Sequence, residues 1–121
     1  MNTRRYDVAL TTAADGSCTA YTPLVSGRVL AVLYAKTDFD NGVGAVVSTE
    51  LSAKTLLTTT NMNASATYMP RLPVQDEAGA DATLDGTRKM REPLVVADER
   101  VKIVIASGGN VKMGTMSIIM G

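Results

Sequence analysis

The sequence predicts an all-β fold: a small antiparallel β-sandwich or barrel of roughly seven to nine short strands, closing with a C-terminal β-hairpin. Three observations carry this. First, the chain holds 13 Val, 4 Ile and 15 Thr against one Phe, so about a quarter of it is β-branched. Two heavy atoms on Cβ restrict χ1 and suit a pleated sheet better than a helix. Second, the apolar runs are short, and clusters of Gly, Asn, Asp, Ser and Pro separate them. Third, the chain is 121 residues long and 45% hydrophobic, which is enough for one core and one domain over residues 1–121.

Each element follows from local pattern. Residues 5–11 alternate, with Tyr6, Val8 and Leu10 on one face and Asp7, Ala9 and Thr11 on the other, as in a half-buried strand. Ala14-Asp15-Gly16 is a turn signal, after which residues 17–22 can return as the second arm of a hairpin. Pro23 ends that ladder because it has no N–H to donate. Residues 28–36 are apolar on both faces and predict a central, covered strand. A loop over 37–42 leads to strands over 43–48 and 54–60, with a short connector between them that could hold one helical turn. Pro70 and Pro73 force residues 68–73 into an extended edge or wrapping segment. Residues 76–91, rich in Asp, Ala and Gly, read as a long surface loop. Strand character resumes at 93–96. Residues 101–106 place Val101, Ile103 and Ile105 on one face. Ser107-Gly108-Gly109-Asn110 tolerates φ > 0, so residues 111–120 are expected to fold back as a hairpin partner.

The same inventory narrows the chemistry. There are 12 Lys plus Arg and 12 Asp plus Glu, and a net charge of zero is a poor basis for nucleic-acid binding. No apolar stretch approaches the roughly 20 residues of a membrane helix, and no apolar run follows Arg4-Arg5 as an export signal would require. The chain has no His, which removes the commonest general base and zinc ligand. Cys18 is the single cysteine; it can close no internal disulfide and reads as a small apolar strand residue, with a reducing origin expected. Asp38-Phe39-Asp40-Asn41-Gly42 opens like a calcium loop but lacks the later oxygen ligands and reads as a solvated turn. Asp76, Glu77, Asp81 and Asp85 form an acidic cluster in a polar loop, where they either keep the loop soluble or meet Arg88, Lys89 and Arg91 downstream. No catalytic residue, cofactor or metal is therefore expected. A core with few large aromatics is thin, so apolar surface is expected to be covered by another subunit. The candidates for that contact are Tyr68, Met69, Pro70 and Leu72, with Met113, Met116 and Met120 on the last strand, which either pack a core or form an adaptable apolar contact with a neighbouring subunit.

Glu99-Arg100-Val101-Lys102-Ile103-Val104-Ile105-Ala106-Ser107-Gly108-Gly109-Asn110 resembles the closing hairpin of small structural proteins of tailed bacteriophages. Asn63-Ala64-Ser65-Ala66-Thr67 with Pro70-Arg71, and Arg5-Tyr6-Asp7-Val8, fit the same order and spacing. The chain departs from that pattern in its Met-rich last strand and its acidic loop. The resemblance implies a non-enzymatic virion component, assembled in the host cytoplasm, and carries over no functional residue. A capsid decoration or cement protein is the leading expectation. Its partners would be copies of itself in a homo-oligomer and the major capsid protein or other virion proteins, with no nucleic acid and no membrane. A neck or tail component is the alternative, and an isolated small β-sandwich binding module a further one.

Overall fold

The computed structural model describes residues 3–75, 77–83 and 91–121. Among them no residue is helical, and the strands are β1 (Arg4–Thr11), β2 (Cys18–Tyr21), β3 (Val25–Lys36), β4 (Gly44–Thr49), β5 (Thr55–Thr59), β6 (Ala66–Tyr68), β7 (Leu72–Pro73), β8 (Arg91–Glu92), β9 (Val95–Glu99), β10 (Val101–Ala106) and β11 (Met113–Met120). All pairings are antiparallel. The first sheet runs β1-β11-β3-β6 with β9 also on β3, the second runs β2-β10-β4-β5, and β7 and β8 form a short ribbon. The eleven strands exceed the seven to nine expected because the count includes the three-residue β6 and the two-residue β7 and β8. Asp76, Asp85, Arg88 and Lys89 lie outside the described residues. Of the expected 76–91 loop, Asp81 bridges Gln75, and Arg91 opens β8.

The strand β3 is central, as its composition predicts. Its register with β11 covers Val29 to Lys36. On the other edge β9 and β6 lie end to end: Val25, Gly27 and Arg28 pair with β9, and Val32, Leu33 and Tyr34 pair with β6. Gly27, at φ +128°, sits where the β9 register shifts. Only one face of β3 is fully buried, through Val25, Val29, Val32 and Tyr34; Leu30, Ala31 and Leu33 on the remainder are half-covered.

The core lies between the two sheets. From the first come Val8, Leu10, Val29, Val32, Met116, Ile118 and Met120; from the second come Ala45, Val47, Leu56, Val101, Ile103 and Ile105. Burying each such aliphatic side chain is worth roughly 1.5–3 kcal/mol. Phe39 closes one end at 2% exposure, its ring stacked on Tyr34 with centroids 6.3 Å apart. The turn over 38–42 is thus not simply solvated: its apolar residue plugs the sandwich. Gly114 makes room for that ring, since a Cβ there would collide with it.

The closing hairpin does not form. β10 pairs with β2 and β4, whereas β11 pairs with β1 and β3, so the last two long strands belong to different sheets. The N-terminal pair behaves the same way: β1 and β2 are in opposite sheets. The reason is burial. Val101, Ile103 and Ile105 on β10 and Met116, Ile118 and Met120 on β11 are all apolar on one face. A flat hairpin would leave those faces side by side, while an arch lays them against each other across the core. The two arches cross together. Segment 4–21 runs antiparallel to segment 102–120, first in one sheet and then in the other.

Thr12 holds the crossing. It is 2% exposed; its amide donates to Lys112 C=O at 2.8 Å, and its hydroxyl accepts the Lys112 N–H at 2.8 Å and donates to Gly109 C=O at 2.6 Å. Gly108 N–H donates to Gly16 C=O at 2.9 Å beside it, and a Cβ on Gly108 would strike the Thr12 methyl. At the opposite end, Arg100 alone separates β9 from β10 as the chain changes sheets. Its Nε meets Glu50 Oε2 at 2.5 Å and its guanidinium lies 4.2 Å from the Tyr21 ring centroid. Glu99, 7% exposed, fixes the β4–β5 turn: Oε1 accepts the Leu51 and Ser52 amides at 2.8 and 3.0 Å, and Oε2 accepts the Ser52 hydroxyl at 2.9 Å.

Two outcomes follow. Thr12→Val keeps the shape and removes the hydroxyl, leaving the Lys112 amide without its acceptor in a buried crossing. A loss of about 1–3 kcal/mol is expected, read as a lower urea midpoint at unchanged slope; an unchanged midpoint would deny Thr12 its place. The hydrogen bonds from Ser52, chiefly that of its amide, hold the Glu99 carboxyl below its ordinary 4.5. That stabilisation is complete above the ordinary value and is lost as pH falls through the lower folded pKa. Glu99→Gln should therefore be less stable than the parent at neutral pH, and the gap in melting temperature should close on acidification.

Candidate functional site

The outer face of the first sheet can be read residue by residue from its register. Arg5, Ile119 and Ala31 stand in one row across β1, β11 and β3. Asp7, Ser117, Leu33 and Thr67 form the next row, reaching β6. Ala9, Thr115 and Ala35 form the third, and Thr11 and Met113 the fourth. These are the out-facing positions of strands whose alternate residues build the core, so the same period-2 pattern that fills the interior also sets this surface.

A shallow groove of about 550 Å³ crosses the face, with Arg5, Asp7 and Ser117 on one side and Leu33, Ser65 and Thr67 on the other. Asp7 is its polar centre. Its Oδ1 accepts the Ser117 hydroxyl and the Arg5 Nε–H, the latter at 2.7 Å. The Ser117 hydrogen bond, then that of Arg5, holds the Asp7 carboxyl below the usual carboxylate range. This makes Asp7 a weaker proton acceptor, the opposite of what a general base for Ser117 needs.

Exposed apolar side chains lie elsewhere on this face, outside the lining of the groove. Met69, one residue past β6, is 66% exposed; Val95, opposite Arg28 at the other end of the β3 edge, is 64% exposed; and Met113 is 50% exposed. Ile119, Leu33 and Ala31 lie half-buried between them.

The structure divides the seven expected contact residues. Met69 and Met113 are exposed. Met116, at 0%, and Met120, at 2%, point inward and belong to the chain's own core, which corrects their assignment as contact residues. Every second residue of β11 faces in, and the even-numbered positions 114–120 are those. Pro70 is buried. Tyr68 is half-buried against the core beside Tyr34, whose pKa is raised by burial and then by Tyr68. Leu72 is half-buried and lines a second groove, about 520 Å³, between the β7–β8 ribbon and β9. Sequence pattern alone missed Val95 and the Asp7–Ser117–Arg5 cluster. The alternation of β1 signalled Asp7, but its partner lies 110 residues away.

Other polar side chains are engaged in structure. Asp38 Oδ1 accepts the Met113 amide at 2.6 Å, and Asn63 Oδ1 accepts the Gly42 amide at 2.8 Å, tying the 38–42 turn to its neighbours. Cys18 is half-buried at the start of β2. Among the described residues, no group of three or more Cys, Asp or Glu is placed to hold a metal ion.

No protein-family model matches the chain, and no curated protein matches it. Among solved structures it is similar to exo-β-1,3-galactanase from Phanerochaete chrysosporium. One match, to a variant with β-1,3-galactotriose, has 14% identity and a TM-score of 0.36; another, with galactose, has 15% identity and a TM-score of 0.31. In both, 98% of this chain aligns but spans only 27% of the galactanase chain. Likeness at this level carries no inference about this protein.

Proposed function

We propose that the chain is a non-enzymatic structural component of a tailed-bacteriophage virion, a decoration or cement protein on the head, and that it acts through the outer face of its first sheet. The observation that supports this reading is the exposure of Met69, Val95 and Met113 on the face that also carries the half-buried Leu33 and Ile119. Exposed apolar side chains on a sheet face that also carries a polar groove suit a protein contact. A cement protein buries many modest contacts across a lattice, so that avidity rather than any one site supplies the strength. The sequence resemblance to phage structural proteins points the same way.

Two measurements test it. In purified particles the chain should be present in copy numbers comparable with the major capsid protein; a count of about one symmetric ring would assign it to the neck or tail instead. Purified protein should also co-sediment with particles that lack it. Met69→Asp with Met113→Asp should abolish that binding while changing stability by under about 0.5 kcal/mol per site, as exposed substitutions do. Binding unaffected by both changes would remove this face from the contact.

A further inference from the structure

The strand β1 is the terminal strand of the first sheet, and among the described residues no strand pairs with its outer edge. It is eight residues long, Arg-Arg-Tyr-Asp-Val-Ala-Leu-Thr, with no Pro, no Gly and an unbroken register against β11. Of the devices that guard such edges, β1 lacks bulges, prolines and short length; it carries charge, but of both signs, in Arg4, Arg5 and Asp7. Which groups it offers is fixed by geometry. The Thr12 amide bonds to Lys112 as the β1–β11 register continues, so the even-numbered residues turn their amides toward β11. The reciprocal bonds between Arg28 and Gly121 turn the odd-numbered residues of β11 toward β3, in agreement. Arg5, Asp7, Ala9 and Thr11 therefore present N–H and C=O on the free edge.

We infer that this edge pairs with the same edge of a second copy of this chain, antiparallel about a two-fold axis, with Tyr6 opposite Tyr6 of the second copy. This names a self-association surface that the assembly reading needs, and it rests on that reading only for its use in a particle. The register follows from hydrogen bonding and charge. Antiparallel pairing requires outward-facing residues to meet outward-facing residues, so the centre falls on a residue and the alternatives step by one. Centred on Tyr6, Arg5 of each copy faces Asp7 of the other, Arg4 faces Val8, and Thr3 faces Ala9. Centred on Asp7, two carboxylates face each other; centred on Arg5, two guanidiniums do. Centred on Val8, Asp7 faces Ala9 and no ion pair forms. Opposite charges directly across strands favour a register and like charges oppose it, so the Tyr6-centred pairing is selected. The Arg5 and Asp7 side chains are 60% and 59% exposed and stand on the same face, free to exchange their pairing within the strand for pairing across it. Tyr6 already packs on the core from its edge, and two of them would join the cores of both copies. The product is one continuous sheet in which two Asp7–Ser117 grooves share a face.

The full chain is tested free of particles by sedimentation equilibrium and by amide hydrogen exchange over a wide concentration range. The expected result is a monomer–dimer equilibrium in which the amides of Arg5, Asp7 and Ala9 gain protection as concentration rises, while those of Tyr6 and Val8 are protected throughout. Arg5→Asp places carboxylates opposite each other and should weaken the dimer about tenfold; adding Asp7→Arg reverses both charges and should restore it. If Arg5→Asp fails to fold, exchange in the unaltered chain decides. A chain that stays monomeric at every concentration overturns the proposal, as does a dimer whose odd-numbered β1 amides remain unprotected. A dimer that binds no particle removes the virion reading and leaves this one standing; a monomer that binds particles does the reverse.

Discussion

The fold depends on one buried crossing, where the two ends of the chain pass together from one sheet to the other. Thr12 supplies its hydrogen bonds to Lys112 and Gly109, and Gly108 and Gly16 allow the two backbones to approach. Every long pairing in the molecule answers to it. With β1 beside β11 and β2 beside β10, the inner faces of both sheets are set, and β3 and β4 extend them outward. A chain with one Phe and no Trp has few large side chains with which to correct a misplaced sheet. Alignment of the two layers is therefore left to hydrogen bonds between residues about 100 positions apart.

The opposite end is held by charge rather than by glycine. Arg100 and Glu99 stand where the chain turns from β9 into β10. One pairs with Glu50 and covers Tyr21, and the other gathers the amides of the β4–β5 turn. A carboxylate accepting several N–H bonds keeps its charge at low cost, so a nearly buried Glu is compatible with a thin core. Between these two ends the interior is aliphatic and the specificity sits at the corners.

This division shapes the surface. Both sheets spend their inner faces on one another, which leaves the outer face of the first sheet as a broad, mixed surface and β1 as its open border. The Asp7–Ser117–Arg5 cluster and the exposed methionines lie on the same face because β11 and β3 bring them together. Lateral pairing through β1 would enlarge that face without altering it, so self-association and contact with a larger lattice are compatible uses of one sheet.

Composition and periodicity by themselves determined the fold class, the positions of most strands, the inward faces of β1 and β10, and the central place of β3. These depend on β-branching and alternation, which are properties of neighbouring residues. They did not determine which strands pair. The apolar face of residues 101–106 and that of 113–120 fit a flat hairpin as well as an arch, and the turn residues between them tolerate positive φ in either. Burial of both faces against each other decided for the arch. The same choice moved Met116 and Met120 from expected contact residues into the core and turned Phe39 from a loop residue into a plug. Only tertiary structure could place Asp7 beside Ser117, because hydrogen bonds between the chain's ends leave no local signal in either segment.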